Sequence, residues 1–395
     1  MKSLFDELSQ NPPDPLFGLN AEYAKETRPF RANLSIGVDI DRPNTAPSIF
    51  PVVKKVEKEI LEEEKTKTFL PIAGMPEFID LAGKLIFGPQ VSDRIVGLQT
   101  LGGTGALSMA GEFLAGEITR SICLSSPTWA NHSGIFTKTG LELEAYPYWD
   151  GQRVPFDRIV DYFRSVKPKT AILLHPCCHN PTGLDFTREE WKALSDLFLK
   201  RNLIPFFDFA YHGYGNGLNE DRLPIDLFME AGHEMFVAYS FAKSMGIYGE
   251  RAGALFVVMQ NTRARERVTN HLSAIARAVY SNPPRHGSEI VARILGNAAH
   301  LKEWEEHLRR RREGLNERRR LFGERLVGEV SEKYEYVIRG RGMFSLLDLS
   351  PEQVMRLQNE FAVYIPRSSR INIAGLFPEN MDHVIKAIKA VHEKK

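Results

Sequence analysis

The 395-residue chain has almost no net charge: 51 Lys+Arg stand against 50 Asp+Glu, for a formal +1. It therefore lacks the basic excess needed to grip a phosphate backbone, and nucleic acid is not expected as its main partner. Cysteine is scarce, with only Cys123 and the adjacent pair Cys177 and Cys178. An odd count in a chain this long builds no disulfide framework and points to a reducing compartment. No apolar run approaches the ~20 residues of a membrane span, so a membrane protein is not expected. Met1 to Gln10 carries Asp6 and Glu7 and lacks both the apolar core of a signal peptide and the acid-poor character of a transit peptide. The cytoplasm is the expected location.

What is present is an ordinary globular composition, 43% hydrophobic and 26% charged. A chain of this length is expected to form one large domain with a smaller companion. The opening Asn11-Pro12-Pro13-Asp14-Pro15 reads as a non-helical, extended arm, because each proline fixes its own φ and restrains the residue before it. Phe50, Val52, Val53, Val56, Ile60 and Leu61 recur at helical spacing and predict an amphipathic helix over residues 50–65. From about residue 90, short apolar runs alternate with amphipathic stretches. Ile95–Leu101, Ala171–His175, Leu203–Phe207, Met235–Ser240 and Ala252–Val258 predict buried strands. Ala106–Leu114 predicts a helix, and Thr187-Arg188-Glu189-Glu190 a capped helix start. This alternation implies an α/β fold with a mainly parallel sheet between helices.

Past residue 297 a long charged helix is predicted, carrying Arg309–Arg312 and Arg318–Arg320 among glutamates. Opposite charges at helical spacing read as a solvated face, and the helix as a bridge between domains. Beyond it, Met343–Leu349 predicts a strand, Ser350-Pro351-Glu352-Gln353 a capped helix start, Tyr364–Ala374 an extended segment and Asn380–His392 a closing helix.

Four segments place polar residues at the ends of apolar strands, where open parallel sheets keep their ligand sites. Gly102-Gly103-Thr104-Gly105 is either a plain tight turn or a place where helix-end amides meet a phosphate; it matches neither the nucleotide P-loop nor the dinucleotide fingerprint. The segment from His175 to Gly183 clusters Cys177, Cys178 and His179, but it lacks the two-residue gap of a zinc knuckle, so no metal is assigned. Its Asn180 either organises a turn or offers a hydrogen bond into a cleft. Asp208 lies among Phe206, Phe207, Phe209 and Tyr211, so its carboxylate requires a cationic or hydrogen-bonding partner, in an ion pair or in a site. Lys243 follows the Met235–Ser240 strand, with Arg251 eight residues further on. It is either a surface lysine or a desolvated amine able to form a Schiff base. Together, an anion cradle, a lysine and a buried carboxylate answer the needs of pyridoxal phosphate: a phosphate, an aldehyde and a ring nitrogen to be kept protonated.

Taken in order, these motifs make the chain resemble the aspartate and aromatic-amino-acid aminotransferases, the alpha subgroup of class I pyridoxal-phosphate enzymes. The likeness extends from Asp14-Pro15 to Ile371-Asn372-Ile373-Ala374-Gly375. It implies a fold-type I transferase with an arm (1–14), a small α+β domain (15–45 and 311–395) and a large cofactor-binding domain (46–310). It also implies amino-group exchange between L-amino acids and 2-oxo acids in two half-reactions, with aspartate, tyrosine or phenylalanine as donor and 2-oxoglutarate as acceptor. By the same resemblance Lys243 is the Schiff-base lysine and proton shuttle, Asp208 sits against the ring nitrogen, Tyr211 and Asn180 bond the phenolic oxygen, and Trp129 stacks on the ring. His132 and His175 surround Asp208. Gly103, Thr104, Ser240 and Arg251 hold the phosphate, Arg370 clamps the substrate α-carboxylate, and Gly37 lines the substrate site. Arg277 would cross from a neighbouring subunit to read a dicarboxylate, which requires a homodimer with shared active sites.

Two departures qualify the likeness. Phe69 stands where the family commonly has a tyrosine touching the cofactor phosphate, removing a hydrogen bond worth ~0.5–1.5 kcal/mol. Ile40 stands where a lysine is common, which favours larger or aromatic substrates. The alternatives are a decarboxylase or lyase using the same cofactor and, in a different class, a non-catalytic ligand-sensing module.

Overall fold

Residues 3, 5–9, 15–43 and 45–393 are described by a computed structural model, side chains 15–17 excepted. Among them eleven strands occur: β1 (Ala32–Asn33), β2 (Ile95–Leu101), β3 (Ser121–Ser126), β4 (Glu142–Pro147), β5 (Ala171–Leu174), β6 (Ile204–Phe209), β7 (Met235–Ser240), β8 (Ala252–Val258), β9 (Phe344–Leu346), β10 (Val363–Tyr364) and β11 (Arg370–Asn372). Seven form one sheet in the order β2-β8-β7-β6-β5-β3-β4. Every pairing in it is parallel except those of β8, which runs antiparallel to both β2 and β7.

The sheet is central because its strands are apolar on both faces; every residue of β5, β7 and β8 is buried. Alternation along β6 divides its side chains. Phe206 joins the core on one face, with Leu107, Phe113 and Phe236. Phe207 and Phe209 join the other, with Trp191 and Phe228. Each such phenylalanine contributes ~1.5–3 kcal/mol of burial. Asp208 falls on the Phe206 face. The edge strand β4 is largely exposed and polar, which is why no apolar run announces it.

Several expected elements are found at or near their predicted bounds. The helix Pro51–Glu63 buries Val52, Val53, Val56 and Ile60. Thr187 caps the helix Arg188–Arg201 in a reciprocal box with Glu190. Ser350 and Gln353 do the same for Pro351–Phe361. The closing helix spans Pro378–Glu393.

Other expectations need correction. The four residues Gly102 to Gly105 form the first turn of the helix Gly102–Glu117 instead of preceding it. Residues 11–14 of the expected arm lie outside the described residues, and Pro15 is helical, opening Pro15–Ala24 at the position where a missing N–H costs nothing. The predicted strand over Met343–Leu349 shrinks to β9. Tyr364–Ala374 is extended only in part, since Ile373–Gly375 closes into a 3₁₀ turn. The long helix spans Ala298–Glu329. Its solvated face is real for Arg309, Arg310 and Arg320, each paired with glutamates three or four residues away. The reading fails for Arg311, Arg318 and Arg319, which turn inward. Arg319 is fully buried without a carboxylate and instead donates to the carbonyls of Val337, Arg341, Gly342 and Phe344.

Candidate active site

The ends of the parallel strands bring the predicted residues together. Lys243 lies on the one-turn helix Phe241–Ser244, directly after β7, and its Nζ sits 5.1 Å from the centre of the Tyr211 ring. Burial lowers its pKa; the charge of Asp208 opposes this, while those of Arg251 and Arg370 reinforce it. An amine so placed has more of its free base at neutral pH than a surface lysine.

Asp208, near the end of β6, meets His132 Nε2 at 3.0 Å and His175 Nε2 at 3.6 Å, both through Oδ2. Burial alone would raise its pKa. The hydrogen bond from His132 and the electrostatic influence of His132, His175 and Lys243 outweigh that and hold the carboxyl below its ordinary range. His132 is oriented in turn by Thr128 Oγ1, 2.7 Å from Nδ1. His175 is buried with neither ring nitrogen in a hydrogen bond, and desolvation drives its pKa down to about 4. The three ligand atoms of His132, His175 and Asp208 lie within 4.8 Å of one another, close enough to meet at one ion. Both imidazoles face the same carboxylate oxygen, and only His132 is close enough to hydrogen-bond it. Trp129 stands edge-on to His132, 5.2 Å between ring centres, and is partly exposed to the cleft.

On the other side, Asn180 Nδ2 donates to Tyr211 Oη over 3.5 Å, and Asn180 Oδ1 accepts from Arg370 Nη1 at 3.2 Å. Arg370 Nη2 donates to Ser35 O at 2.8 Å, and the guanidinium carbon lies over the Phe344 ring, 4.1 Å from its centre. Nε of Arg370 is buried without a partner. Burial lowers the pKa of Arg370, against the influence of Tyr211. A buried cation with a donor to spare is a receptor for a carboxylate. Gly37 borders the same place: a Cβ there would lie 2.7 Å from Phe344 Cζ.

The helix Gly102–Glu117 starts without a side-chain cap, so its first amides and the positive end of its dipole are free for an anion. Gly102 has φ +67°, and a Cβ on it would fall 2.7 Å from Arg251 Nη2, while one on Gly103 would fall 3.1 Å from Ser240 Cβ. The missing side chains thus let the Arg251 guanidinium and Ser240 approach the first turn of the helix closely, and Thr104 sits in the same turn. Free helix-end amides beside a guanidinium and a hydroxyl, a lysine amine and an ionised carboxylate at neighbouring strand ends fit the three polar groups of pyridoxal phosphate.

Arg277 is not part of this assembly. It is exposed on the helix Arg265–Val279 and donates to Ser281 Oγ at 2.5 Å. Phe69 is also far from buried, at 85% exposure. Sequence reasoning missed Phe344 and the Ser35 carbonyl beneath Arg370, because neither carries a motif. It also missed Asp39, which is buried against Arg311 and Tyr214.

The family model for aminotransferase class I and II matches residues 33–388. The aspartate aminotransferase of Escherichia coli K12 is 38% identical over 98% of this chain and all of its own length. An aromatic-amino-acid aminotransferase from Burkholderia pseudomallei, solved covalently bound to pyridoxal phosphate, superposes with a TM-score of 0.95 at 35% identity, covering 99% of this chain and 100% of that one. The aspartate aminotransferase from Saccharomyces cerevisiae cytoplasm gives 0.93 at 34% identity, covering 98% of each chain.

Proposed function

Because this chain belongs to the class I and II aminotransferases and transfers amino groups with pyridoxal phosphate as its cofactor, we propose that it exchanges the amino group of aspartate, tyrosine or phenylalanine with 2-oxoglutarate. The observation that carries this reading is the joint presence in one cleft of the desolvated Lys243 amine, the ionised Asp208 and a buried Arg370 with a free donor.

When bound, the cofactor supplies an electron sink for the negative charge that develops at the substrate Cα. Lys243 would hold the cofactor through Nζ and, as a free amine, would carry the proton from and back to the substrate Cα. Its lowered pKa suits it to act as a base near neutrality. Asp208 keeps a proton on the ring nitrogen, which only an ionised carboxylate does. Tyr211 and Asn180 orient the phenolic oxygen, and Trp129 covers the ring and excludes water. Gly103, Thr104, Ser240 and Arg251 hold the phosphate. Arg370 binds the α-carboxylate, with Gly37 leaving room beside it.

The substrate range rests on two opposing features. Arg277 suits a dicarboxylate, whereas the apolar Ile40 suits a larger side chain. Arg277 and Phe69 are both exposed on their own subunit, which supports a homodimer in which each completes the site of the partner. We divide the chain into the arm 1–14, a large domain 46–310, and a small domain of 15–45 with 311–395. The pairing of β1 with β10 supports joining the two distant parts of the small domain. Among the described residues no helix is long and apolar enough to cross a membrane. Three buried free thiols support the reading of a reducing, cytoplasmic compartment. Steady-state kinetics with aspartate, tyrosine and phenylalanine against 2-oxoglutarate test the proposal; failure of all three to yield glutamate would overturn it.

A further inference from the structure

Asp39 is 1% exposed and lies where three parts of the chain meet. Arg311 Nε approaches its Oδ2 at 2.9 Å, and Arg318 Nη2 its Oδ1 at 3.5 Å. These two arginines stand seven residues apart, two helical turns, and so project from one face of the long helix Ala298–Glu329. Arg311 also pairs with Asp41 and donates to the Asp39 carbonyl, while Arg318 donates to Ala374 O at 2.7 Å. From the sheet side, Tyr214 Oη donates to Asp39 Oδ2 at 3.1 Å and lies 3.3 Å from the carbonyl oxygen of Lys243. Tyr248 Oη accepts from the Asp39 backbone N–H at 3.0 Å.

The segment just before Asp39 is the one that holds the α-carboxylate clamp. Ser35 O accepts from Arg370, and Ile36 O and Val38 O both accept from Asn372 Nδ2, at 2.6 and 2.9 Å. Arg370 and Asn372 belong to the same strand, β11. The position of this backbone therefore fixes which way the Arg370 guanidinium points. The carboxylate accepts a hydrogen bond from Tyr214 and attracts two guanidiniums by charge, while its Oδ1 and Arg311 Nε make no hydrogen bond; the charge contacts, the Tyr214 bond and the bonds of Tyr248 and Arg311 to the Asp39 backbone together hold the segment.

Resting on the aminotransferase reading above, we propose that Asp39 is a positioning residue for substrate carboxylate binding: held by Arg311, Arg318, Tyr214 and Tyr248, it sets the Ser35–Val38 backbone and thereby the aim of Arg370. It touches neither substrate nor cofactor. Tyr214 extends the same network to the backbone of Lys243, so the carboxylate clamp and the lysine share one support.

The test uses the holoenzyme and a carboxylic acid that cannot react, 3-phenylpropionate, titrated by the absorbance change of the bound cofactor. Asp39→Asn is expected to weaken its binding about tenfold while cofactor occupancy stays at the wild-type level, because a misaimed clamp is costly even at small displacements. In turnover, KM for the amino acid and for the oxo acid should rise together, with kcat changed much less. Asp39→Asn leaves Arg318 without its anion and Arg311 with Asp41 alone. Should it not fold, Tyr214→Phe and Arg318→Met, which each remove one support, are expected to weaken 3-phenylpropionate about threefold. Wild-type affinity in a folded Asp39→Asn, or in both other variants, overturns the proposal. A wild-type protein that takes up no cofactor would instead overturn the reading on which it rests.

Discussion

Replacing Arg370 by lysine keeps the positive charge and removes the fork, which separates the geometry of the clamp from its electrostatics. A guanidinium has five N–H donors. Two are taken in the protein, by Asn180 Oδ1 and Ser35 O, and Nε is one of those left free. The wild-type residue can therefore keep both protein contacts and still grip a carboxylate with two parallel hydrogen bonds. An ammonium has three donors; with the same two partners satisfied, one remains for the substrate. The loss is one charge-assisted hydrogen bond, ~1.5–3 kcal/mol, or roughly 10- to 150-fold in kcat/KM. The cation–π contact with Phe344 at 4.1 Å is changed as well, since an ammonium on a flexible stem does not replace a guanidinium over a ring. Because every amino acid and oxo acid carries the same α-carboxylate, the penalty should be equal for aspartate and phenylalanine. Steady-state kinetics with both donors measures it. A penalty below threefold, or one confined to a single donor, would refute the assignment of Arg370 to the α-carboxylate.

Three further outcomes are expected. Lys243→Ala should lose turnover by at least ~10⁴-fold while keeping its thermal midpoint, and near-normal turnover would exclude Lys243 as the proton carrier. Arg277→Ala should penalise aspartate and glutamate more than phenylalanine, and equal penalties would contradict its role as a reader of the distal carboxylate. His175 is held neutral, its pKa down at about 4 against an ordinary 6.5. Its contribution to stability is therefore complete above pH 6.5 and declines as the pH falls toward 4, where the unfolded chain binds a proton that the folded one refuses. Denaturant unfolding should show a loss of ~3 kcal/mol across that window, much of it absent in His175→Gln; identical slopes in the two proteins would show that His175 is not the group responsible.

Much of the site can be read from the sequence because its residues sit at the ends of apolar strands. The runs Ile95–Leu101, Met235–Ser240 and Ala252–Val258 match strands residue for residue, so Gly102 and Lys243 lie just after the first two and Arg251 just before the third. Where burial is one-sided the signal fades: β4 is a polar edge strand and passes unnoticed. The arginine-rich helix shows the limit from the other direction. Its period sorts Arg309 onto one face and Arg311 and Arg318 together onto another, but which face meets solvent depends on what packs against it. That in turn was decided by Asp39, more than 270 residues earlier in the chain.

The sequence by itself therefore determined the alternating architecture and the candidates Lys243 and Asp208 at strand ends, because each is a local pattern with a physical cost if misplaced, whereas it set Gly102–Gly105 before a helix that they in fact open. Only the tertiary structure decided that Asn180 and Arg370, 190 positions apart, would bond, that Phe344 would lie beneath the guanidinium, and that Asp39 would join Arg311 and Arg318 to Tyr214. Such contacts arise from packing between distant segments. No local spacing encodes them, since the free energy of a buried ion or stacked cation depends on what surrounds it rather than on its neighbours in the chain.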